Sequence, residues 1–96
     1  MRSRFSAYAK GLLDYIIETT DPSGPMYHIN HSEWTLELQK FCDQTRFVSL
    51  TVQEANGEYV TFSAKLVQDG TMYVMREKSL FTKPNERWLY HSGEEF

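Results

Sequence analysis

A chain of 96 residues with an aromatic content of 15% has the size of a single domain, residues 1–96, with enough large side chains for one core. A formal charge of −3 and a pI near 5.5 argue against a nucleic-acid-binding module, which usually has a pI above about 9. No apolar stretch approaches the roughly 18 residues of a membrane span, so we expect neither nucleic acid nor a membrane as a partner.

The N-terminal third has helical periodicity. Apolar residues recur at three-to-four spacing over residues 3–19, which predicts one amphipathic helix with Gly11 as a weak point inside it. The Pro-rich segment 21–25 ends this helix. A second helix is predicted after Asn30, because Asn30 can cap it and Glu33 occupies the third helical position. Its apolar stripe comprises Trp34, Leu38, Phe41 and Cys42.

After Arg46 the hydrophobic period changes from about 3.6 to 2, which is typical of β-strands. In the first strand, Val48, Leu50 and Val52 alternate with Phe47 and its neighbours. The dipeptides Asn56-Gly57 and Asp69-Gly70 predict tight type I′ hairpins on either side of a second strand. A third strand covers 72–82 and a fourth covers 87–91, so the C-terminal part is predicted to be a four-stranded meander.

The third strand contains the most informative carboxylate, Glu77. One face of this strand has aromatic residues at both ends and polar groups at its centre: Tyr73, Met75, Glu77, Ser79 and Phe81. If this face points toward the helices, Glu77 lies in an apolar enclosure near Arg2 or Arg4. Three interpretations stay open: a structural Glu–Arg pair, a general base, proton donor or ligand anchor, or a solvated Glu77 on the outer face.

The other reactive side chains form no complete catalytic constellation. Tyr8 is interpreted as a core residue or as a hydroxyl that lines a cavity, and Trp34, Trp88 and Tyr90 as packing residues or as the walls of a pocket. His28 and His31 lack the further ligands of a closed zinc site, so no metal is expected. No Gly-rich phosphate loop is present, and no cofactor is expected. The single Cys42 favours a reducing compartment, and we expect the cytoplasm.

Three short segments resemble motifs of the YchJ-like family, whose domain often accompanies SEC-C zinc motifs in bacteria. They are Arg2–Tyr8 (RSRFSAY), Glu77–Phe81 (EKSLF) and Arg87–Gly93 (RWLYHSG). Val60–Ala64 and Trp34 also resemble family positions. Phe5 and Lys78 depart from the family's Tyr and Arg. The flanking SEC-C segments are not found, so zinc-mediated partner binding is not carried over.

The resemblance implies an α+β fold of the nuclear-transport-factor-2-like (cystatin-like) type. In this fold, two N-terminal helices pack on a curved four-stranded antiparallel meander, and the resulting cone has a cavity at its wide end. The start of the first helix and the centre of the third strand would then meet at the cavity. The candidate site that follows is Arg4, Tyr8, Glu77 and Ser79, with Trp34 and Trp88 as walls.

Three functions compete on this basis. The preferred one is a non-catalytic module that binds a small ligand or acts as an accessory domain. The second is a protein-interaction module that forms a homodimer through the outer face of the sheet, where Val67, Met72, Val74 and Leu80 supply an apolar patch. The third is a small hydratase or isomerase in which Glu77 is the general acid or base and Tyr8 polarises the substrate.

Overall fold

The computed structural model describes residues 1–96 as three helices followed by one antiparallel sheet. The helices are α1 (Arg2–Lys10), α2 (Leu13–Glu18) and α3 (His31–Gln44). The strands are β1 (Thr45–Asn56), β2 (Tyr59–Gln68), β3 (Thr71–Thr82) and β4 (Leu89–Glu95), which pair in the order β1-β2-β3-β4. The predicted α+β class with a four-stranded meander is therefore confirmed. No helix is both long and apolar enough to cross a membrane.

The single helix predicted over residues 3–19 is interrupted at Gly11, and this prediction is corrected. Gly11 adopts a left-handed conformation (φ 68°), which an L side chain rarely takes. Its N–H donates to the Tyr8 carbonyl, and the N–H of Leu12 donates to the Ala7 carbonyl at 2.8 Å. These two bonds make a Schellman motif, so Gly11 ends α1 instead of weakening a longer helix. The chain then turns into α2.

The start of α3 matches the predicted cap. The Asn30 side chain accepts a hydrogen bond from the Glu33 N–H at 3.1 Å, which satisfies one of the free donors of the first turn. Trp34 and Leu38 from the predicted stripe are buried, whereas Phe41 is 37% exposed. The helix passes into β1 at Thr45 without a loop, so α3 is tied directly to the edge of the sheet.

One hairpin has the predicted turn and the other does not. Asp69 and Gly70 both have positive φ (51° and 74°), as a type I′ turn requires. In the first hairpin Asn56 pairs with Tyr59, so the two-residue loop is Gly57-Glu58. Only Gly57 there has positive φ, which fits a type II′ turn and corrects the predicted type I′ turn.

The fourth strand lies two residues later than predicted and is longer. It covers Leu89–Glu95 instead of 87–91, and Glu86 in the preceding loop has positive φ (63°). The added length places Gly93 opposite Ser79 and Glu95 opposite Glu77. The segment Thr19–Asp21 then lies along the free side of β4, where the Asp21 N–H donates to the Tyr90 carbonyl at 2.8 Å.

The predicted inner face of β3 is confirmed. Ser79 is fully buried and Phe81 is 7% exposed, while Arg76 and Lys78 on the other face are exposed. The predicted alternation in β1 is wrong at its start, because a register irregularity lies between Phe47 and Ser49. Phe47 therefore packs inward and Val48 is 44% exposed.

Two apolar clusters lie on the two sides of the molecule's interior. The helical cluster comprises Ala7, Ile16, Trp34 and Leu38. The sheet cluster comprises Phe62, Ala64 and Leu66, with Phe5, Phe47, Leu50 and Met75 packed against it. Because side chains from α1 and α3 reach the sheet only in part, a cavity remains between the helices and the inner face of the sheet.

Candidate functional site

The interior cavity has a volume of about 270 Å³ and is apolar except at one end. Side chains from α1, α3 and the first three strands form most of its wall, including Phe5, Leu38, Phe41, Phe62, Leu66 and Met75. The four residues with polar groups on its lining are Arg4, Tyr8, Glu77 and Tyr90. A concave, mainly apolar space with a few convergent polar groups is the usual form of a small-molecule site.

The Glu77 carboxylate is held in place by hydroxyl donors through one of its two oxygens. Oε2 accepts hydrogen bonds from the Ser79 hydroxyl and, at 3.3 Å, from the Tyr90 hydroxyl. Oε1 has no hydrogen-bond partner within the chain, and it is accessible to solvent. One carboxylate oxygen thus remains available to whatever enters the cavity, since an ionised carboxylate only accepts hydrogen bonds.

Gly93 on β4 provides the space for this carboxylate. A Cβ atom built on Gly93 would collide with both oxygens of Glu77. Ser79 pairs with Gly93 across the β3–β4 ladder, so the Glu77 side chain folds over a position where any other residue would place an atom. The glycine is therefore needed for close approach and not for a turn.

Arg4 does not pair with Glu77, so the interpretation of Glu77 as half of a structural Glu–Arg ion pair is wrong. Its Nη1 donates to the Ile16 carbonyl at 3.1 Å and to the Thr19 hydroxyl at 2.7 Å, at the end of α2. Carbonyls at a helix C-terminus lack partners within the helix and carry partial negative charge, so a buried guanidinium satisfies them well. Burial also lowers the pKa of Arg4, and the nearby tyrosines partly offset that shift.

Tyr90 connects the two charged groups. The Arg4 guanidinium lies over its ring at 4.7 Å, while its hydroxyl donates to Glu77. Burial, followed by the charge of Glu77, raises the pKa of the Tyr90 phenol, so this hydroxyl keeps its proton at neutral pH. The sequence interpretation left Tyr90 as either a packing residue or a pocket wall, and the structure places it on the cavity lining. The signal that could have identified it is its position opposite Phe81, an inward residue of β3, but this register depends on the correct start of β4.

Tyr8 also borders the cavity, one helical turn after Arg4. Its ring packs edge-on against Phe41, with centroids 6.0 Å apart. Burial raises the pKa of its phenol, and the charge of Arg4 opposes only part of this shift. Arg4, Tyr8 and Glu77 are thus brought together at one cavity, and Ser79 supports Glu77 from a fully buried position.

Neither predicted tryptophan wall lies at this cavity. Trp34 is in the helical cluster, 6% exposed, and stacks against the His28 ring with centroids 5.2 Å apart. It faces away because α3 turns Leu38 and Phe41, not Trp34, toward the sheet. Trp88 is 49% exposed in the loop before β4 and borders a separate polar cleft with Arg87. The walls are instead phenylalanines from α1, α3 and the sheet.

A buried acid at the junction of α2 and β4 was not identified from the sequence. Asp21 is 7% exposed and accepts hydrogen bonds from the Ser23 N–H at 2.8 Å and from the Thr82 hydroxyl. The Thr82 bond, followed by those from Ser23, lowers the pKa of Asp21. The Asp-Pro-Ser-Gly turn was recognised only as the end of a helix, since its contact with Thr82 spans distant parts of the chain.

Comparison with known proteins places the chain among bacterial relatives. The family profile described as "YchJ, middle NTF2-like domain" matches residues 1–93. A UPF0225 protein of Pectobacterium carotovorum is 30% identical over 102 residues, which cover 97% of this chain and 63% of that protein. A UPF0225 protein of Serratia proteamaculans is 35% identical, with 97% and 62% covered. The chain therefore spans a little under two thirds of the length of these relatives.

A solved structure has the same fold. The solution structure of RPA3114, a SEC-C motif-containing protein from Rhodopseudomonas palustris, superposes with a TM-score of 0.81 at 30% sequence identity. The match covers 100% of this chain and 75% of that one. The whole of this chain, helices and sheet, thus has the same fold as the matched part of RPA3114.

Proposed function

We propose that this chain, which belongs to the family of YchJ middle NTF2-like domains, is a binding module whose interior cavity takes a small, mainly apolar molecule with a hydrogen-bond-donating head. The observation that carries this proposal is the free Oε1 of Glu77 at the polar end of an otherwise apolar cavity. The single, half-buried free thiol of Cys42 supports placing this binding in the cytoplasm.

The polarity of the head group follows from how the charges at the polar end are used. Arg4 directs its Nη1 to the end of α2 and its guanidinium face to Tyr90, so part of its binding capacity is already used within the chain. Glu77 has no cation within ion-pairing distance. The acid–base contacts within 4 Å in this chain are His28–Glu37 and Arg87–Glu18. A ligand that donates an N–H or O–H, above all a protonated amine, would supply the missing partner.

Titration with three probes that share one ring tests this proposal. 2-Phenylethylamine, 2-phenylethanol and 3-phenylpropionate carry a cationic, a neutral and an anionic head, and binding is followed by the backbone amide shifts of the labelled domain. We expect the amine to bind most tightly, the alcohol less and the acid least, since only the first two can donate to Glu77. Preference for the acid would assign recognition to Arg4 and overturn the proposed head group.

Two variants separate the carboxylate and the cavity. Glu77→Gln should weaken the amine by about 1.5–3 kcal/mol, the contribution of a charged hydrogen bond. Its matched control is Glu95→Gln, which removes the same charge directly opposite on β4 but lines no part of the cavity. Ala64→Leu fills the cavity from β2 and should abolish binding of all three probes while the fold is kept. Unchanged binding by Ala64→Leu would place the probes elsewhere.

A second candidate function is proton transfer, because the Tyr8 phenol and the Glu77 carboxylate border the same cavity. Glu77 would remove a proton next to a carbonyl, Tyr8 would donate a hydrogen bond to the enolate oxygen, and the proton would return from Glu77. The test is deuterium exchange of the protons next to the carbonyl of 4-phenyl-2-butanone in D₂O. Exchange that Glu77→Gln abolishes and Glu95→Gln keeps would support a hydratase or isomerase, whereas no exchange leaves the binding module.

A further inference from the structure

The outer face of the sheet has a small apolar patch at the end that contains the β2–β3 hairpin. Val67 lies opposite Met72 across the β2–β3 ladder, and Val74 lies one step further along β3 on the same face. Met72 is 55% and Val74 is 56% exposed. These three residues form the apolar patch. No element of the chain covers it, since all three helices pack on the other face of the sheet.

Basic side chains surround the apolar patch. Arg46 lies opposite Val67 on β1, Lys65 lies opposite Val74 on β2, and Arg76 follows Val74 on the same face of β3. All three cations are exposed, and none takes part in an ion pair. The residues paired with Lys65 and Arg76 on the neighbouring strands, Ser49 and Ser63, are uncharged, and one exposed acid, Asp69, lies in the β2–β3 turn. The patch is therefore positive although the chain as a whole has a charge of −3.

The other end of the same face has one cation and two carboxylates. Lys78 lies opposite Glu94 on β4, and its ammonium group lies over the Tyr59 ring at 4.8 Å. Glu54 pairs with Thr61, the β2 neighbour of Lys78. Positive charge is thus concentrated around the apolar patch and is not a property of the whole outer face.

We propose that the apolar patch with its basic rim, formed by Val67, Met72, Val74, Arg46, Lys65 and Arg76, is a docking surface for an acidic, partly apolar segment of a partner protein. Such a segment would place apolar side chains on Met72 and Val74 and carboxylates against the cations, which is the arrangement that electrostatic complementarity favours. The proposal does not depend on the interior cavity, which opens on the opposite face.

Charge and area disfavour the other occupants of this surface. In the homodimer that is the second of the three functions compatible with the sequence, a twofold pairing of this end of the sheet would bring the three cations of one copy against those of the other. Three apolar side chains also fall well short of the roughly 800 Å² that each partner buries in a stable dimer. Nucleic acid is disfavoured because the chain's pI near 5.5 lies far below the value above about 9 that is usual for nucleic-acid-binding domains.

The test uses two synthetic helical peptides of about 15–20 residues, long enough to form a helix. One contains Glu, Leu and Ala, and the other replaces every Glu by Lys. We expect the acidic peptide alone to shift the backbone amides of residues 65–76, and the shifts to diminish as salt rises from about 50 to 300 mM. Equal binding of the basic peptide, shifts that map to the helices, or no binding of either peptide would overturn the proposal.

A pair of matched double variants removes the effect of net charge. Lys65→Glu with Arg76→Glu reverses two cations of the rim, and Lys10→Glu with Lys40→Glu reverses two exposed cations on the helices. The first pair should weaken the acidic peptide by about tenfold or more and the second by far less. Met72→Ser with Val74→Ser should also weaken it. Equal weakening by both charge pairs, or no effect of the serine pair, would refute docking on this patch.

Two further measurements identify a different occupant. The double variant Lys65→Glu with Arg76→Glu is the rim variant. If the domain sediments together with vesicles that contain phosphatidylserine, and the rim variant does not, the surface binds a membrane. A dimer in sedimentation equilibrium that the rim variant dissociates would assign it to a second copy of the chain. Either result would overturn the proposal, and their absence together with binding of the acidic peptide supports it.

Discussion

Gly93→Ala is the substitution that most sharply tests the position of the Glu77 carboxylate. The backbone of Gly93 lies outside the left-handed region, so alanine is allowed there by conformation. The added methyl group, however, would occupy the space of the Glu77 carboxylate. Since that carboxylate is at the end of a flexible side chain, it will move away, and the Ser79 hydroxyl will lose its acceptor.

The magnitude follows from the groups that are left without partners. Ser79 is fully buried, and a buried polar group without a hydrogen bond costs about 1–3 kcal/mol. Replacing glycine by alanine returns about 0.4–1 kcal/mol through the unfolded chain. The net loss therefore lies between about 0 and 2.6 kcal/mol, and its midpoint of about 1.3 kcal/mol corresponds to a fall in Tm of about 5–10 °C for a domain of this size.

The assay is thermal unfolding, followed by far-UV circular dichroism, in a double-mutant cycle with Glu77→Ala. In the Glu77→Ala background the carboxylate is gone and Ser79 has already lost its acceptor. Gly93→Ala should then be neutral or raise Tm by a few degrees, about what the glycine effect alone gives. An equal fall in Tm in both backgrounds would refute the contact between Glu77 and Gly93, because the cost would then come from the backbone.

Three further predictions concern buried polar groups. Because the pKa of Asp21 is lower in the folded than in the unfolded chain, its ionised carboxylate stabilises the fold above the unfolded pKa. This stabilisation is lost as pH falls through the folded pKa, so Asp21→Asn should flatten the fall of Tm between about pH 5 and 3. The raised pKa of Tyr90 gives stability that is complete below about pH 10 and lost above it, so Tyr90→Phe should flatten the alkaline fall. Arg4→Met should lower the free energy of unfolding, measured in urea, by about 2–3 kcal/mol, whereas Arg2→Met at an exposed position should change it by no more than about 0.5 kcal/mol. Equal losses in the two variants would contradict the contacts of Arg4.

Local signals in the sequence predict most of the fold. The cap at Asn30, the Asp69-Gly70 turn and the alternation in β3 depend on neighbouring residues, and all three are as predicted. The errors occur where an alternative local structure is equally allowed. A glycine such as Gly11 can lie inside a helix or end it, and which of the two occurs depends on how the following segment, α2, packs. Phe47 turns inward because β1 contains a bulge, which a strict two-residue alternation does not predict.

The candidate site was predictable only in part for the same physical reason. Arg4, Tyr8 and Glu77 could be placed at one cavity, because helix period and strand alternation determine their faces. Their partners could not, since Arg4 bonds to the Ile16 carbonyl at the end of α2, and α1 and α2 are separate helices because α1 ends at Gly11. The role of Tyr90 depends on the pairing of β4 with β3, in which Tyr90 lies opposite Phe81, and the sequence did not give this pairing because β4 was predicted to start two residues too early.

The measurement that tests the central claim most directly is a set of intermolecular nuclear Overhauser effects from the ring protons of 2-phenylethylamine. Binding in the cavity predicts contacts to the methyl groups of Met75 and Leu66, which lie on the inner face of the sheet. These contacts should vanish in Ala64→Leu, which fills the same space. Contacts to Met72 and Val74 on the outer face instead, or none to any methyl group, would contradict the proposal of a ligand-binding cavity.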